Sequence, residues 1–512
     1  MISNSFKSLY TGRYIQQISQ YRLFCTSTSA TATKTDASKF HLCIIGSGPA
    51  GLYTASKVHK HLPDANITVL EKLPYPFGLV RSGISPDHQN EKKVKNTLEK
   101  VLIEHPQLIH FVGNVTIDKD IKFQDIQKNF HAVVLACGIE GDRKLGIPLE
   151  DKLKNIYFAR DFLGWLNGNL KDQNRKFDLT GKNVAIVGQG NVALDVARLL
   201  LKKNSDELKK TDITSTAFDQ IHKSGVKNIH IIGRRGPLEV SFTNKELREI
   251  LNLPGINTYI NDISTLDLSP EQISKLDRVR KRSYDLLKEH LKPLESEQQL
   301  ENTDKMNLIF HFLRSPVEFI GDESGGDSLV GMKLEKNELV NDEKTNQLKA
   351  VGTKEYIDLQ CTSVFRSIGY TGTKQFTGVP FDFKSVSIPN HLGKVRKDVE
   401  SPEFIPGLYV SGWIKGGPSG SIPNISHSSE ETAAQLYLDY STNQIDLNNS
   451  VSGEFGFQSV LSILKNANHR IINYDDWKKI ESEEVKRGKE KGKLLEKIII
   501  FDDLTNIINN GN

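Results

Sequence analysis

The chain has 512 residues, of which 37% are hydrophobic and 25% charged, with 38 glycines and 18 prolines. This length points to two to four domains and this mix to a globular α/β protein, which excludes collagen, a disulfide-stapled miniprotein and wholesale disorder. The net charge of +4 is too small to mark a nucleic-acid binder, and no run of 18 apolar residues is present to form a membrane-crossing helix.

The excess charge lies at the N-terminus. Lys7, Arg13, Arg22 and Lys34 all precede the first acid, Asp36, and the rest of the chain carries as many acidic as basic residues. Phe6, Leu9, Ile15, Ile18 and Leu23 fall at roughly helical spacing, without the continuous apolar core of a secretory signal. Residues 1–36 therefore read as a mitochondrial presequence, with a basic disordered tail as the alternative. Arg22-Leu23-Phe24-Cys25 offers a cleavage point. Cys25, Cys43, Cys137 and Cys361 are too far apart for a CxxC pair or a local cysteine-ligated site, and no metal is expected.

Phe40–Ile45 is an apolar run suited to a buried parallel strand, and it leads directly into Gly46-Ser47-Gly48-Pro49-Ala50-Gly51 and a helix. In a G-x-G-x-x-G turn, Gly46 permits the bend, Gly48 admits a pyrophosphate and Gly51 lets the helix pack on the strand. The helix that starts at Pro49 and Ala50 offers the free N–H groups of its first turn, beyond the proline, to phosphate. A second strand, Ile67–Leu70, ends at Glu71, an acid placed to hold ribose hydroxyls.

The pattern recurs. Asn183–Val187 reads as a strand feeding Gly188-Gln189-Gly190-Asn191-Val192-Ala193, and Lys202–Lys223 reads as a charged surface loop. The following strand, Asn228–Ile232, ends in Gly233-Arg234-Arg235-Gly236. Two guanidinium groups where an acid would stand favour a 2′-phosphate, and hence NADP over NAD. Two dinucleotide sites of different preference imply a relay, with FAD at the first and NADPH at the second.

Pro76-Phe77-Gly78-Leu79-Val80-Arg81-Ser82-Gly83-Ile84-Ser85-Pro86-Asp87-His88 makes the pattern specific, together with Gly188–Arg198, Gly233–Leu238, Phe242–Glu249, Phe312–Pro316, Ser367–Tyr370 and Gly412–Gly420. From residue 40 onward the chain resembles the NADPH:adrenodoxin oxidoreductase family, mitochondrial ferredoxin–NADP reductases of glutathione-reductase-like architecture. The resemblance implies two Rossmann-like three-layer α/β units, the NADP unit (143–370) inserted into the FAD unit (40–142 and 371–512). It also implies that Leu79, Val80, Trp413, Gly420, Ser421 and Ile422 join the FAD set, and that Glu246 and Gly420 join the NADP set. His88, beside Asp87, and Asp195 match positions near an electron-exit path, where an Asp–His pair would carry a proton or shape the potential; a solvated His88 is the alternative. Gly416, Ser419 and Ser421 depart from the family's usual Arg, Thr and Val.

The implied acceptor is an acidic [2Fe–2S] ferredoxin serving P450-type, haem or iron–sulfur pathways. Lys275, Arg278, Arg280, Lys281 and Arg282 lie in a Gly- and Pro-free segment that reads as helical, and the resemblance implies that Lys245 and Arg248 add to this basic face. A solvated helix face paired to Asp277 and Asp285 is the bland reading, and Lys486–Lys493 reads as a solvated loop. A monomer in the mitochondrial matrix is expected, with no nucleic-acid partner and with peripheral inner-membrane contact left open. Competing readings are a glutamate synthase small-subunit-like flavoprotein and a non-catalytic NADP sensor. The first lacks its cysteine-rich region here, and the second would need only one glycine motif.

Overall fold

The structure, a computed structural model, describes residues 40–510 apart from 302, 323, 343–346, 419–421 and 448–454. The presequence reading therefore lies outside the described residues, as do Gly420 and Ser421.

The first apolar run forms β1 (His41–Ile45), buried along its inner four residues and followed by helix α1 (Pro49–His61). Strands β2 (Asn66–Leu70), β3 (Ile109–Val112) and β4 (Ala132–Leu135) complete the early part of a parallel sheet. The chain then builds a second, wholly parallel sheet. Its members in chain order are β5 (Ile156–Phe158), β6 (Asn183–Val187), β7 (Asn228–Ile232), β8 (Ile256–Ile260), β9 (Lys292–Pro293) and β10 (Met306–His311). Helices α2 (Asn191–Leu201), α3 (Asn244–Leu251) and α4 (Arg278–His290) connect them. An antiparallel ribbon, β11 (Arg314–Gly321), β12 (Leu329–Asp342) and β13 (Gln347–Gln360), precedes the last strand, β14 (Ser363–Arg366). The chain then returns to the first sheet as β15 (Asn390–His391), β16 (Lys394–Arg396) and β17 (Phe404–Val410).

The sheet orders are β15-β16-β17-β4-β1-β2-β3 and β9-β8-β10-β7-β6-β14-β5. In each, the strand before the glycine turn has its sequential neighbour on one side and a later strand on the other. Such a switch point opens a crevice at the strands' C-terminal ends. The registers fix what lines it. Ile45 pairs with Leu70 and Leu135, so Gly46 emerges beside Glu71 and Ala136. Val187 pairs with Ile232 and Arg366, so Gly188 emerges beside Gly233 and Ser367. Helix α5 (Ile422–Ser441) packs along α1, and α6 (Tyr474–Glu490) and α7 (Phe501–Asn510) close the first core over Trp477 and Leu504.

Two polar segments fold differently from the sequence reading. Within Lys202–Lys223 lie short helices at Asp206–Lys209 and Ser215–His222, capped by the Ser205 and Thr214 hydroxyls. They form because Leu208, Ile213, Phe218 and Ile221 are buried against the second core. Lys486–Lys493 is the end of α6 and its turn rather than a free loop: Gly488 lies against Leu495, and Lys493 is buried against Glu496.

The strap after α6 ties the two units together. Lys497 and Lys92 both pair with Asp212 at 2.7 Å; Asp212 and Lys497 are buried and Lys92 is nearly covered. Burial works against the Asp212 carboxylate, but the ammonium groups of Lys497 and Lys92 outweigh it and hold the carboxyl well below its ordinary range. Asp212→Asn leaves two buried ammonium groups facing each other and is expected to cost about 3 kcal/mol, read as a lower urea midpoint. A carboxyl held low stabilises the fold above its unfolded pKa of about 4 and loses that contribution as the pH falls. The gap between wild type and variant should therefore narrow below pH 4, and a gap that does not change with pH contradicts this account.

Candidate functional site

The first crevice is built around the turn after β1. Gly46 has φ +108°, and a Cβ there would stand 2.5 Å from the Ala136 carbonyl oxygen, so only glycine fits. Gly51 is needed for the same steric reason, against the Gly46 carbonyl. Gly48 differs. It is the N-cap of α1 with no side-chain cap, Pro49 follows at the helix start, and a Cβ on Gly48 would meet nothing closer than 3.9 Å, at Gly78. That open cradle before uncapped helix N–H groups suits a pyrophosphate and is not explained by packing within the protein.

Glu71 stands at the crevice edge, as the sequence places it, but its carboxylate is also structural. It accepts hydrogen bonds from Ser47 N (2.9 Å), Ser47 Oγ (2.8 Å) and Leu73 N (3.0 Å), which leaves limited capacity for a ribose hydroxyl. Gly412 approaches Ala50 so closely that a Cβ there would stand 2.4 Å from the alanine Cβ, which brings Trp413 to this crevice. Trp413 Nε1 is buried with no hydrogen-bond partner, a donor waiting for an acceptor. Leu79 is 40% exposed, whereas Val80 is buried in the first core and its N–H donates to the Phe77 carbonyl. Val80 thus supports the turn by packing and has no free side chain for a ligand. Ile422, partly buried, opens α5 and packs on the same core.

The second crevice repeats the plan. Gly188 has φ +132°, with Ser367 O at 2.1 Å from an added Cβ, while a Cβ on Gly190 would meet nothing within 4 Å. Gln189 has a buried Nε2 without a partner, and Asn191 Oδ1 accepts from Thr243 N at 2.8 Å. Val192 packs on the second core. A cavity of about 820 Å³ opens here, lined by the Gly188–Val192 turn together with Arg234, Arg235, Arg314 and Tyr370. Its size and basic wall suit an anionic dinucleotide.

Glu246 lies elsewhere. It is buried in a charged cluster between the two units, 3.1 Å from Arg198 and 3.6 Å from His88, and is not among the cavity-lining residues. The helical spacing of α2 and α3 explains this: Asp195 and Arg198 share one face of α2, and Glu246 and Glu249 share one face of α3. Arg198 is completely buried. It bonds Asp87 (2.8 Å), Asp195 (2.7 Å) and Glu246 (3.1 Å), while Lys202 also reaches Asp87 (2.9 Å). His88 is not solvated: its Nε2 sits 2.9 Å from Glu249, and its side chain is nearly covered. His88 and Asp195 do come together, 4.0 Å apart. Burial pushes the Asp195 carboxyl up to about 6, against the pull of Arg198 and His88.

The basic segment is helical over Arg278–His290, with Asp277 capping its N-terminus and Lys275 ending the preceding short helix. Arg278, Arg280, Lys281 and Arg282 are exposed, and Val279 among them is 65% exposed. Asn244 Nδ2 donates to the Val279 carbonyl at 3.0 Å, so α3 adjoins α4 and Lys245 and Arg248 extend the same face. Lys281 pairs with Asp285, Arg280 with Asp277 and Lys245 with Glu91. These exposed pairs are weak and do not neutralise the face.

With these two crevices in view, the kinships of the chain are clear. Residues 40–258 match the family model described as pyridine nucleotide-disulphide oxidoreductase. A protein of Dictyostelium discoideum named probable NADPH:adrenodoxin oxidoreductase, mitochondrial, is 70% identical over 495 residues, covering 96% of this chain and 95% of that protein. The chain belongs to the NADPH:adrenodoxin oxidoreductase family. The Homo sapiens relative of that name is 39% identical over 464 residues, 90% of each chain. The solved structure of Mycobacterium tuberculosis FprA in complex with NADPH superimposes with a TM-score of 0.81 at 31% identity, covering 92% of this chain and all of that one. The protein is an oxidoreductase that uses FAD and NADPH.

The open cradle at Gly48 and the unpartnered Trp413 Nε1 fit a flavin dinucleotide. Gly190 and the arginine-lined cavity fit NADPH. A Cβ at Gly48 meets nothing closer than 3.9 Å, so Gly48→Val is expected to fold with an unchanged far-UV circular dichroism spectrum and to purify without bound flavin. A yellow Gly48→Val protein would contradict the assignment of this turn.

Proposed function

We propose that this enzyme takes a hydride from NADPH and delivers electrons one at a time to an acidic [2Fe–2S] ferredoxin in the mitochondrial matrix. The observation that carries the reading is the pairing of two differently finished nucleotide crevices with an exposed basic face. The relatives named above as mitochondrial support the compartment. The flavin, when bound, supplies the conversion of a two-electron donor into single electrons.

The chain's own residues do the rest. We assign 40–142 and 371–512 to the FAD unit and 143–370 to the NADP unit, following the strands each sheet gathers. In the first crevice Gly48 and the start of α1 hold a pyrophosphate, and Trp413 Nε1 donates to the group beside it. In the second, the start of α2 holds the other pyrophosphate, and Arg234 and Arg235 grip the 2′-phosphate. The cluster of Asp87, His88, Asp195, Arg198, Glu246 and Glu249 fixes the angle between the units and keeps His88 within proton-exchange distance of Glu249. Arg278, Arg280, Lys281 and Arg282, with Lys245 and Arg248, steer an acidic partner onto α4, and exposed Val279 gives it an apolar contact.

Reversing charge at Arg280 and Arg282 to Glu is expected to slow reduction of an acidic [2Fe–2S] ferredoxin severalfold at low salt, with cytochrome c as final acceptor, and to leave NADPH-dependent ferricyanide reduction intact. An equal fall in both would mean that the face is structural. Arg234→Ala combined with Arg235→Ala should raise KM for NADPH about a hundredfold while changing that for NADH little. Equal changes would remove the 2′-phosphate assignment.

A further inference from the structure

We infer that Arg314 is a third phosphate-reading side chain of the second crevice, closing with Arg234 and Arg235 on the 2′-phosphate of NADPH. The inference rests on the reading of that crevice as the NADPH site and adds a specificity-determining residue to it.

The chain turns sharply after β10 at Leu313, which has φ +53°, in the left-handed region that a leucine occupies only when its surroundings impose it. The surroundings do impose it. Leu313 N donates to the Arg235 carbonyl (3.1 Å), Arg314 N to the Gly233 carbonyl (2.9 Å) and Asn337 N to the Leu313 carbonyl (2.9 Å). The buried Asn337 side chain donates to the Arg234 carbonyl (2.9 Å) and to Ser315 Oγ (2.8 Å). The Gly233–Arg235 turn and the Leu313–Ser315 turn are thus stitched into one platform, and all three arginines line the same cavity.

Several of the cations around that cavity are already partnered; Arg143, which lines it without an ion pair among the described residues, donates its Nε to the Tyr370 carbonyl at 2.9 Å. Arg160 is neutralised by Asp142 at 2.6 Å, Arg366 by Glu150 at 2.5 Å and Lys144 by Asp151 at 2.5 Å. Among the described residues, no carboxylate lies within ion-pair distance of Arg314. Its Nε is buried without a partner, and its terminal nitrogen reaches only its neighbour Leu313's carbonyl at 3.1 Å. Burial depresses its basicity, opposed only at a distance by Asp262 and Glu355. A half-buried guanidinium whose Nε has no partner is best completed by an anion. A phosphate monoester, with nearly two negative charges and three acceptor oxygens, matches several guanidinium forks at once. The backbone bonds to Gly233 and Arg235 place Arg314 beside the Arg234–Arg235 turn, the end of the crevice assigned to the ribose.

The test is calorimetric binding of 2′,5′-ADP and 5′-AMP to the purified holoenzyme and its Arg314→Ala and Arg314→Lys variants, with Arg234→Ala/Arg235→Ala as the reference. The expected result is that Arg314→Ala weakens 2′,5′-ADP about tenfold to a hundredfold and leaves 5′-AMP unchanged, with Arg314→Lys between. Unchanged 2′,5′-ADP binding in Arg314→Ala, or an equal loss for both nucleotides, would overturn the inference. If the wild-type enzyme binds both nucleotides equally, the NADPH reading of the crevice itself fails, and the inference with it.

Discussion

Arg198 has no exposed surface, and it holds together residues from two separately folded sheets. Asp87 comes from the loop that follows the first crevice, whereas Asp195, Glu246 and Glu249 come from the helices behind the second. Removing any one partner would strand a buried charge, so the junction tolerates one relative placement of the two units. The Lys92–Asp212–Lys497 triad repeats the device on the C-terminal strap. A hydride moves only between atoms held at contact distance, and two nucleotide crevices built on independent sheets meet that requirement only if the angle between the sheets is fixed. The buried ions at the junction set this angle.

Within that frame the crevices share one construction and differ at one position. Both use a positive-φ glycine pressed against the neighbouring strand's exit and a second glycine facing open space. They diverge at the end of the next strand. Glu71 there binds the Ser47 turn, whereas Arg234 and Arg235 line the second cavity; in the function proposed above, the carboxylate would repel a second phosphate and the guanidinium groups would attract one. On that proposal, one carboxylate exchanged for two guanidinium groups distinguishes the flavin site from the NADPH site.

Both crevices were legible in the sequence, because a strand, a glycine turn and a helix are contiguous and their spacing follows from backbone geometry. Strands Asn183–Val187 and Asn228–Ile232 fall where the apolar runs place them. The junction was not legible. Asp212 and Lys497 are 285 positions apart, and in a charge-rich segment nothing local separates a buried ion from a solvated one. The same blindness turned Lys202–Lys223 and Lys486–Lys493 into loops on paper. Glu246 enters the NADP set through the family resemblance alone, yet its side chain meets His88 and Arg198. Val80 enters the flavin set through the family resemblance alone, yet the short helix Leu79–Ser82 turns its side chain into the core. Leu313's left-handed backbone carries no sequence signal at all, since its cause is long-range hydrogen bonding.

The account stands or falls on whether the two crevices act in series. Anaerobic stopped-flow mixing of the purified yellow protein with NADPH, followed at the flavin's visible absorbance, tests this most directly. The account predicts rapid bleaching by NADPH, much slower bleaching by the same concentration of NADH, and return of colour when an acidic [2Fe–2S] ferredoxin is added. Colour that persists with NADPH would contradict it.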